Sequence, residues 1–368
     1  MIDQMLKNLD LGVSQYSENR NKVHKPSNDH WDIFNESYYD LISSFDNWAK
    51  FRRNGITCML ETGLYAKDRS SFIKNRTLYD EGYSSAEVHE IKLRVKELEK
   101  MIGKDFLYKN LECEVGSPRH CTLSGHKINF DDLYNVYAAW QIYRTFKELN
   151  RKPTTILEIG GGYGNLCNKL TSLFPNVKYI MLDLPETLVV QEYYLSQANP
   201  SKRLLTLSDI KDKNVKSILE SDTYDVALLP AWYGPQLEQL DIDLVVNARS
   251  LGEMNVEALE YYFDIIHNSL KLEGLFYCVN RYVFTSSQHQ LKLKDYPFDE
   301  KWGFLISQPQ WLQTHLHEFL AIRRADNIVD SNFILKSMSE RVPPPGPVME
   351  NILSQKEWFK NNKREKND

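Results

Sequence analysis

The run Thr155-Ile-Leu-Glu-Ile-Gly-Gly-Gly-Tyr-Gly164 constrains the fold more than any other stretch of the chain. A β-branched and apolar segment from Thr154 to Leu157 ends in Glu158. Gly160, Gly161, Gly162 and Gly164 follow, and a helix-like run then extends from Asn165 to Phe174. That order reads as strand, glycine turn and helix. Glycine lets the backbone turn sharply and lets a ligand lie close to the main chain. The start of the helix offers unpaired N–H groups to a polar ligand.

Such a turn serves several ligands, or only a tight strand-to-helix corner. A phosphate-binding loop is excluded, because no Gly-Lys-Ser/Thr follows. The dinucleotide pattern G-x-G-x-x-G is not met either, since Asn165 stands where the third glycine would be. Glu158 argues the same way: a carboxylate there repels a pyrophosphate but suits a cationic, methionine-like group. A second β-rich run, Val177 to Leu182, ends in Asp183. An acid at the tip of the second strand, roughly twenty positions after the glycines, accepts hydrogen bonds from both ribose hydroxyls.

Together these residues resemble the class I S-adenosylmethionine (SAM)-dependent methyltransferases, whose first motif Glu158-Ile-Gly-Gly-Gly-Tyr-Gly164 matches closely. Three further stretches are similar to a narrower group, the sugar O-methyltransferases: Glu114 to Pro118, Asp183 to Leu195, and Asn247-Ala-Arg-Ser-Leu-Gly-Glu-Met254. The general resemblance covers about residues 130 to 325. It implies SAM as cofactor, and the narrower one implies a sugar hydroxyl as acceptor.

From residue 154 onward, strands and helices alternate. Strands are expected near 154–159, 177–182, 203–207, 224–230, 274–280, 302–307 and 317–323. Helices are expected near 164–174, 186–197, 211–220, 254–270 and 309–315. The alternation implies a doubly wound, seven-stranded α/β sheet with ligands at the carboxyl ends of its strands. The last two strands would form the antiparallel edge of the methyltransferase sheet. Residues 1–129 read as a mostly helical N-terminal region, 130–340 as the SAM domain, and 341–368 as a tail that is Pro-rich and then charged. In the N-terminal region, aromatics between Asp32 and Arg53 recur at helical spacing, and Ser84 to Glu87 forms a capping box. Glu112 to Asn129 reads as a loop or short hairpin, and Phe130 to Leu149 as a helix. The N-terminal region would serve as a lid, as a homodimer interface, or as both.

A net charge of −5 gives no electrostatic case for a nucleic-acid partner. No apolar run is long enough to span a bilayer. No basic-then-apolar leader is present, and the five cysteines are scattered, so a cytoplasmic protein is expected.

Glu158 would order the glycine turn and the methionine amino end of SAM. Gly160, Gly161, Gly162, Tyr163 and Gly164 would let the cofactor approach. Asp183 would bind its ribose, and Leu184 would pack on the adenine. Ser208 and Asp209 would either reach the adenine or merely cap the next helix. Pro230 and Trp232, at the tip of the expected fourth strand, would line the cleft, unless Trp232 is a core aromatic. O-methylation needs an oriented hydroxyl and a group to take its proton. Glu253 is the first candidate base, although a first-turn acid favoured by the helix dipole is an equal reading. His120 and His289 follow, while His267 lies mid-helix and reads as structural. Asn280 and Arg281 would hold substrate hydroxyls or a diphosphate. No metal site is expected. Asp241 and Asp243 read as a solvated turn.

Overall fold

The computed structural model describes residues 2–19, 48–52, 82–111, 114–211, 213–285, 290–327 and 334. Helix α1 (Ile2–Asn19) opens the chain; α2 (Ser85–Ile102), α3 (Lys104–Lys109) and the hairpin β1 (Cys121–Leu123) and β2 (His126–Ile128) come later in the N-terminal part. The capping box is present at α2: Glu87 N donates to Ser84 Oγ (3.3 Å) and Ser84 N to Glu87 Oε2 (2.7 Å). Helix α4 (Asp132–Glu148) leads into the sheet. Most of the aromatic run between Asp32 and Arg53 lies outside the described residues, as does the tail from residue 335.

The sheet is built from β3 (Thr155–Ile159), α5 (Asn165–Leu173), β4 (Lys178–Asp183), α6 (Pro185–Ala198) and β5 (Leu204–Leu205). Then come the short helices α7 (Leu207–Ile210) and α8 (Val215–Glu220), followed by β6 (Val226–Pro230), β7 (Ile242–Ala248), α9 (Val256–Ser269) and β8 (Leu270–Arg281). A small hairpin of β9 (Val283–Thr285) and β10 (Gln290–Lys292) precedes β11 (Trp302–Pro309) and β12 (Leu316–Arg323). The order is β11-β12-β8-β7-β3-β4-β6-β5, with β12 antiparallel to β8 and β11 antiparallel to β12. Side chains alternate along the strands into two cores. Ile156, Tyr179, Val246 and Tyr277 face one, and Leu157, Ile180, Val245 and Phe276 face the other.

The doubly wound α/β class is as expected, with three local departures. The largest is β7, where a solvated acidic turn was expected. Its segment is buried from Ile242 to Asn247, as befits a parallel strand covered on both faces. The misleading acid, Asp243, is only 2 % exposed. Its Oδ2 accepts from Thr154 N and Thr154 Oγ1 (both 2.7 Å) and from Thr155 N (3.2 Å), and Lys271 pairs with Oδ1. Burial alone would raise its carboxyl, but these partners hold it below the ordinary value. The second departure splits residues 211–220: Asn214 starts α8 afresh by accepting from Ser217 N. The third is 309–315, which is a turn joining β11 to β12 and not a helix, closed by Gln310 N donating to Leu316 O (2.9 Å). The sheet has eight strands instead of the seven expected because β7 joins it between β3 and β8.

Candidate active site

β3 is flanked by β4 on one side and β7 on the other. The chain winds outward through β4 and β6, then returns to β7 and winds the other way through β8. The direction therefore reverses between β3 and β7. In open parallel sheets the ligand crevice opens at that point, outside the carboxyl ends of the strands. One wall of the crevice is the glycine turn after β3. The other is the turn after β7, from Arg249 to Glu253.

Gly160 and Gly162 both adopt left-handed backbone, at φ 68° and 58°. A Cβ at Gly160 would land on Ser250 Oγ in the facing turn, whereas one at Gly162 would meet nothing within 4 Å. The first glycine therefore allows the two walls to touch, and the second leaves open space above the turn. Gly161 packs over Glu158, whose carboxyl a Cβ there would meet at 2.9 Å. Glu158 is 2 % exposed and accepts from Tyr179 Oη (2.8 Å). Burial pushes its carboxyl up to about 7, against the Tyr179 hydrogen bond and with help from the nearby Asp183 charge. Gly164 stands at the N-cap of α5.

Tyr163 contributes main chain only. Its ring is buried, edge-on to Tyr194 and beneath the Arg52 guanidinium. The ring turns inward to the aromatic core, so only the Tyr163 main chain belongs to the turn.

Asp183 ends β4 with its carboxyl at the crevice. Oδ1 accepts from Leu184 N (2.9 Å) and Oδ2 from Gln191 Nε2 (2.8 Å). The same Gln191 nitrogen donates to Gly162 O (2.9 Å), so one amide ties the acid to the glycine turn. Burial raises Asp183 to about 7 in spite of these donors. Gln191 was not foreseen. Its signal was present, since Thr187 and Gln191 are four apart on one face of α6 and both bond the acid.

Pro230 is the register partner of Asp183. Trp232 follows it in a 3₁₀ turn, buried and 6.0 Å from the Tyr16 ring of α1. Because β6 pairs with β4 and not with β3, this tip lies on the Asp183 side of the crevice, away from the β7 wall. Its burial beside α1 matches the alternative that Trp232 is a core aromatic. Ser208 and Asp209 are occupied as a cap and a helix contact. Asp209 Oδ2 accepts from Thr206 N (2.8 Å), and Ser208 bonds Asn8 and Gln4 of α1.

The β7 wall is held by two asparagines. Asn247 Nδ2 donates to Ile159 O (2.8 Å), and Asn247 Oδ1 accepts from Leu251 N (3.2 Å) and Asn280 Nδ2 (2.9 Å). Asn280 Oδ1 accepts from Gly252 N (2.9 Å), and Ser250 Oγ donates to Ile159 O (3.0 Å). Asn280 is 1 % exposed, and its amide is engaged within the wall. Arg281 is exposed at the end of β8. Glu253 is half-buried in the 3₁₀ turn Leu251–Glu253, and its charge reaches Tyr296. His120 begins the β1 hairpin, and its charge neighbour is Glu114. His289 lies outside the described residues. His267 accepts from Trp302 Nε1 (3.1 Å) and is structural. No group of three or more metal-binding side chains occurs among the described residues.

The residues fit SAM. Open space lies over Gly162, two buried carboxyls face a ligand that carries positive charge, and Gln191 Oε1 is buried without a partner among the described residues. Residues 135–217 match the family model of the O-methyltransferase domain. No curated protein matches the chain. Among solved structures, the N-methyltransferase NodS from Bradyrhizobium japonicum, in complex with S-adenosyl-L-homocysteine, is 12 % identical. The overlap covers 50 % of this chain and 87 % of that one, with TM-score 0.33. The 1,6-didemethyltoxoflavin-N1-methyltransferase of Burkholderia thailandensis is 13 % identical over 67 % of this chain and 93 % of its own, with TM-score 0.34. The mitomycin 7-O-methyltransferase MmcR is 12 % identical over 52 % and 57 %, with TM-score 0.33. Overlaps of that size do not bear on what this chain binds.

A glycine turn at the switch point, an acid beneath it and an acid at the next strand tip define a SAM-dependent methyltransferase. The segment that matches the O-methyltransferase model runs from α4 through the glycine turn and Asp183 to α8. No described helix is long and apolar enough to cross a membrane.

Proposed function

We propose that the protein transfers the methyl group of SAM to a hydroxyl of a sugar, whether free, nucleotide-linked or within a glycan. The observation that carries this reading concerns the segment Asn247 to Met254. It is one of the three stretches similar to the sugar O-methyltransferases, and it forms the crevice wall facing the glycine turn. That wall is polar, with Arg249, Ser250 and Glu253 along it and Arg281 beside it. A polyketide or phenolic acceptor would call for an apolar wall.

SAM supplies a methyl already activated on a sulfonium. What remains for the protein is to orient the hydroxyl and accept its proton. Asp183 holds the ribose, and Gln191 keeps that acid in register with Gly162. Glu158, neutral or charged near neutrality, supports the turn against the methionine end. Glu253 is the proposed base, its carboxylate taking the hydroxyl proton as the new C–O bond forms. The Asn247–Asn280 pair positions Glu253 by fixing the turn from Leu251 to Gly252.

The test is methyl transfer from labelled SAM to a panel of free sugars, nucleotide sugars and glycosides, beside a matched set of phenols. Product on the sugar panel is expected. Product confined to phenols would overturn the reading.

A further inference from the structure

Three basic side chains share one rim of the sheet, next to the crevice. Arg249 immediately follows β7, and Arg281 ends β8. In the parallel pairing Ala248 is opposite Val279, so the two arginines leave neighbouring strand ends. Leu316, the first residue of β12, is opposite Arg281, which brings His315 to the same rim. Partial burial lowers the pKa of His315, and the charges of Arg281, Arg94 and Arg249 lower it further.

The arginines are deployed unusually. Arg249 is left-handed at φ 77°, a costly conformation for a side chain other than glycine, and its N–H is anchored on Val279 O (2.7 Å). Its guanidinium lies 5.6 Å from the Tyr134 ring centroid, and that of Arg281 lies 5.7 Å from Phe284. Among the described residues neither has an ion pair or side-chain hydrogen bond. Other arginines of the molecule pair with acids: Arg94 with Glu90, Arg119 with Glu87 and Arg323 with Asp299. Like charges gathered at a cleft without a counter-ion favour an anionic ligand.

We propose that Arg249 and Arg281, joined by His315, bind the diphosphate of a nucleoside-diphosphate sugar and so set its hydroxyl against the cofactor. This rests on the sugar reading above and narrows it. Two guanidinium forks from adjacent strand ends match two linked phosphoryl groups better than one carboxylate. The strained Arg249 and the Tyr134 ring beneath it aim one fork in advance of the ligand.

The test is calorimetric titration of the full chain, saturated with S-adenosylhomocysteine, with inorganic pyrophosphate, UDP-glucose and glucuronate. Pyrophosphate and UDP-glucose should bind. Arg281→Ala should weaken both by roughly 10- to 100-fold, the loss of a charged hydrogen-bonded pair, while its retained affinity for S-adenosylhomocysteine reports intact folding. Arg249→Lys, which keeps charge but loses the fork, should weaken them less. No binding, binding unchanged in Arg281→Ala, or arginine-dependent binding of glucuronate alone would each overturn the diphosphate subsite. Methyl transfer separates the two claims. Arginine-dependent binding with no product from any UDP-, GDP- or dTDP-hexose keeps the subsite and removes the sugar reading. A nucleoside-diphosphate sugar methylated with equal kcat/KM by wild type and Arg281→Ala does the reverse.

Discussion

The two walls of the crevice solve one problem in opposite ways. Each is a turn leaving the carboxyl end of a central parallel strand. The wall after β3 is built by leaving side chains out: Gly160 lets it touch Ser250, and Gly162 leaves space for a ligand. The wall after β7 is built by side chains that bond one another, with Asn247, Ser250 and Asn280 satisfying the backbone of the turn and of Ile159. A wall of the first kind fails when an atom is added, and one of the second kind fails when an atom is removed. The two should therefore answer differently to substitution.

The largest effect is expected at Gly160. Gly160→Ala adds a clash with Ser250 to a left-handed strain, and it should lose S-adenosylhomocysteine binding and about 2–4 kcal/mol of stability in urea denaturation. Gly162→Ala carries only the backbone strain, about 1–2 kcal/mol. Equal losses would mean that the walls do not brace each other. Next comes Glu253→Gln, expected to lower turnover by roughly 10²- to 10⁴-fold while cofactor affinity is kept. Near-normal turnover would remove Glu253 as the base and leave the β7 wall a positioning element only.

Asn247→Ala should cost about 1–3 kcal/mol by stranding buried backbone groups. It should reduce kcat more than cofactor affinity, and a loss confined to cofactor binding would place Asn247 functionally on the other wall. The smallest effect is on pH. Glu158 and Asp183 stand near 7 in the unliganded protein. The ligand selects their ionised forms, so affinity should fall by up to about tenfold per carboxyl between pH 8 and pH 6. Asp183→Asn should flatten that profile at weaker overall affinity. The sign for stability is the reverse. Carboxyls whose pKa is raised by folding favour the folded state at low pH, so the unliganded protein should lose stability as pH climbs from about 4.5 toward 7.

The same contrast explains what the sequence disclosed. Glycines and strand-end acids announce themselves by spacing, so β3, its turn, β4 and Asp183 could be read directly. The order of helices and strands gave the doubly wound class. Strand β7 was hidden because Asp241 and Asp243 imitate a turn, and only the Lys271 and Thr154 partners make Asp243 tolerable in the interior. With β7 unread, the strand beside β3 was missing from the expectation, and the cleft wall was sought at Pro230 and Trp232 after residues 224–230. Asn280 looked like a ligand-facing polar group because its partners, Gly252 and Asn247, are far along the chain. Arg249 was passed over because its left-handed backbone cannot be seen in its neighbours. Hydrogen-bonded frameworks of this kind are written in pairs of distant residues, and a single sequence shows only the members.

Helix α4 deserves a last inference about how this enzyme could be rebuilt. Its residues Leu133, Val136 and Tyr137 pack with Ile91, Leu98 and Leu107 of the N-terminal helices, while Ala139, Ile142 and Phe146 pack with the sheet. Asp132, at its start, pairs with Lys169 and accepts from Asn165 at the head of α5. The helix is thus common property of both halves. A fragment begun at Phe130 would keep the catalytic sheet but bare one whole flank of this helix, and grafting a foreign N-terminal half there would have to recreate that flank. Exchange of acceptor recognition between enzymes built this way would succeed at Leu149–Pro153, where α4 has ended and β3 has not begun, with the helix travelling alongside its N-terminal partners.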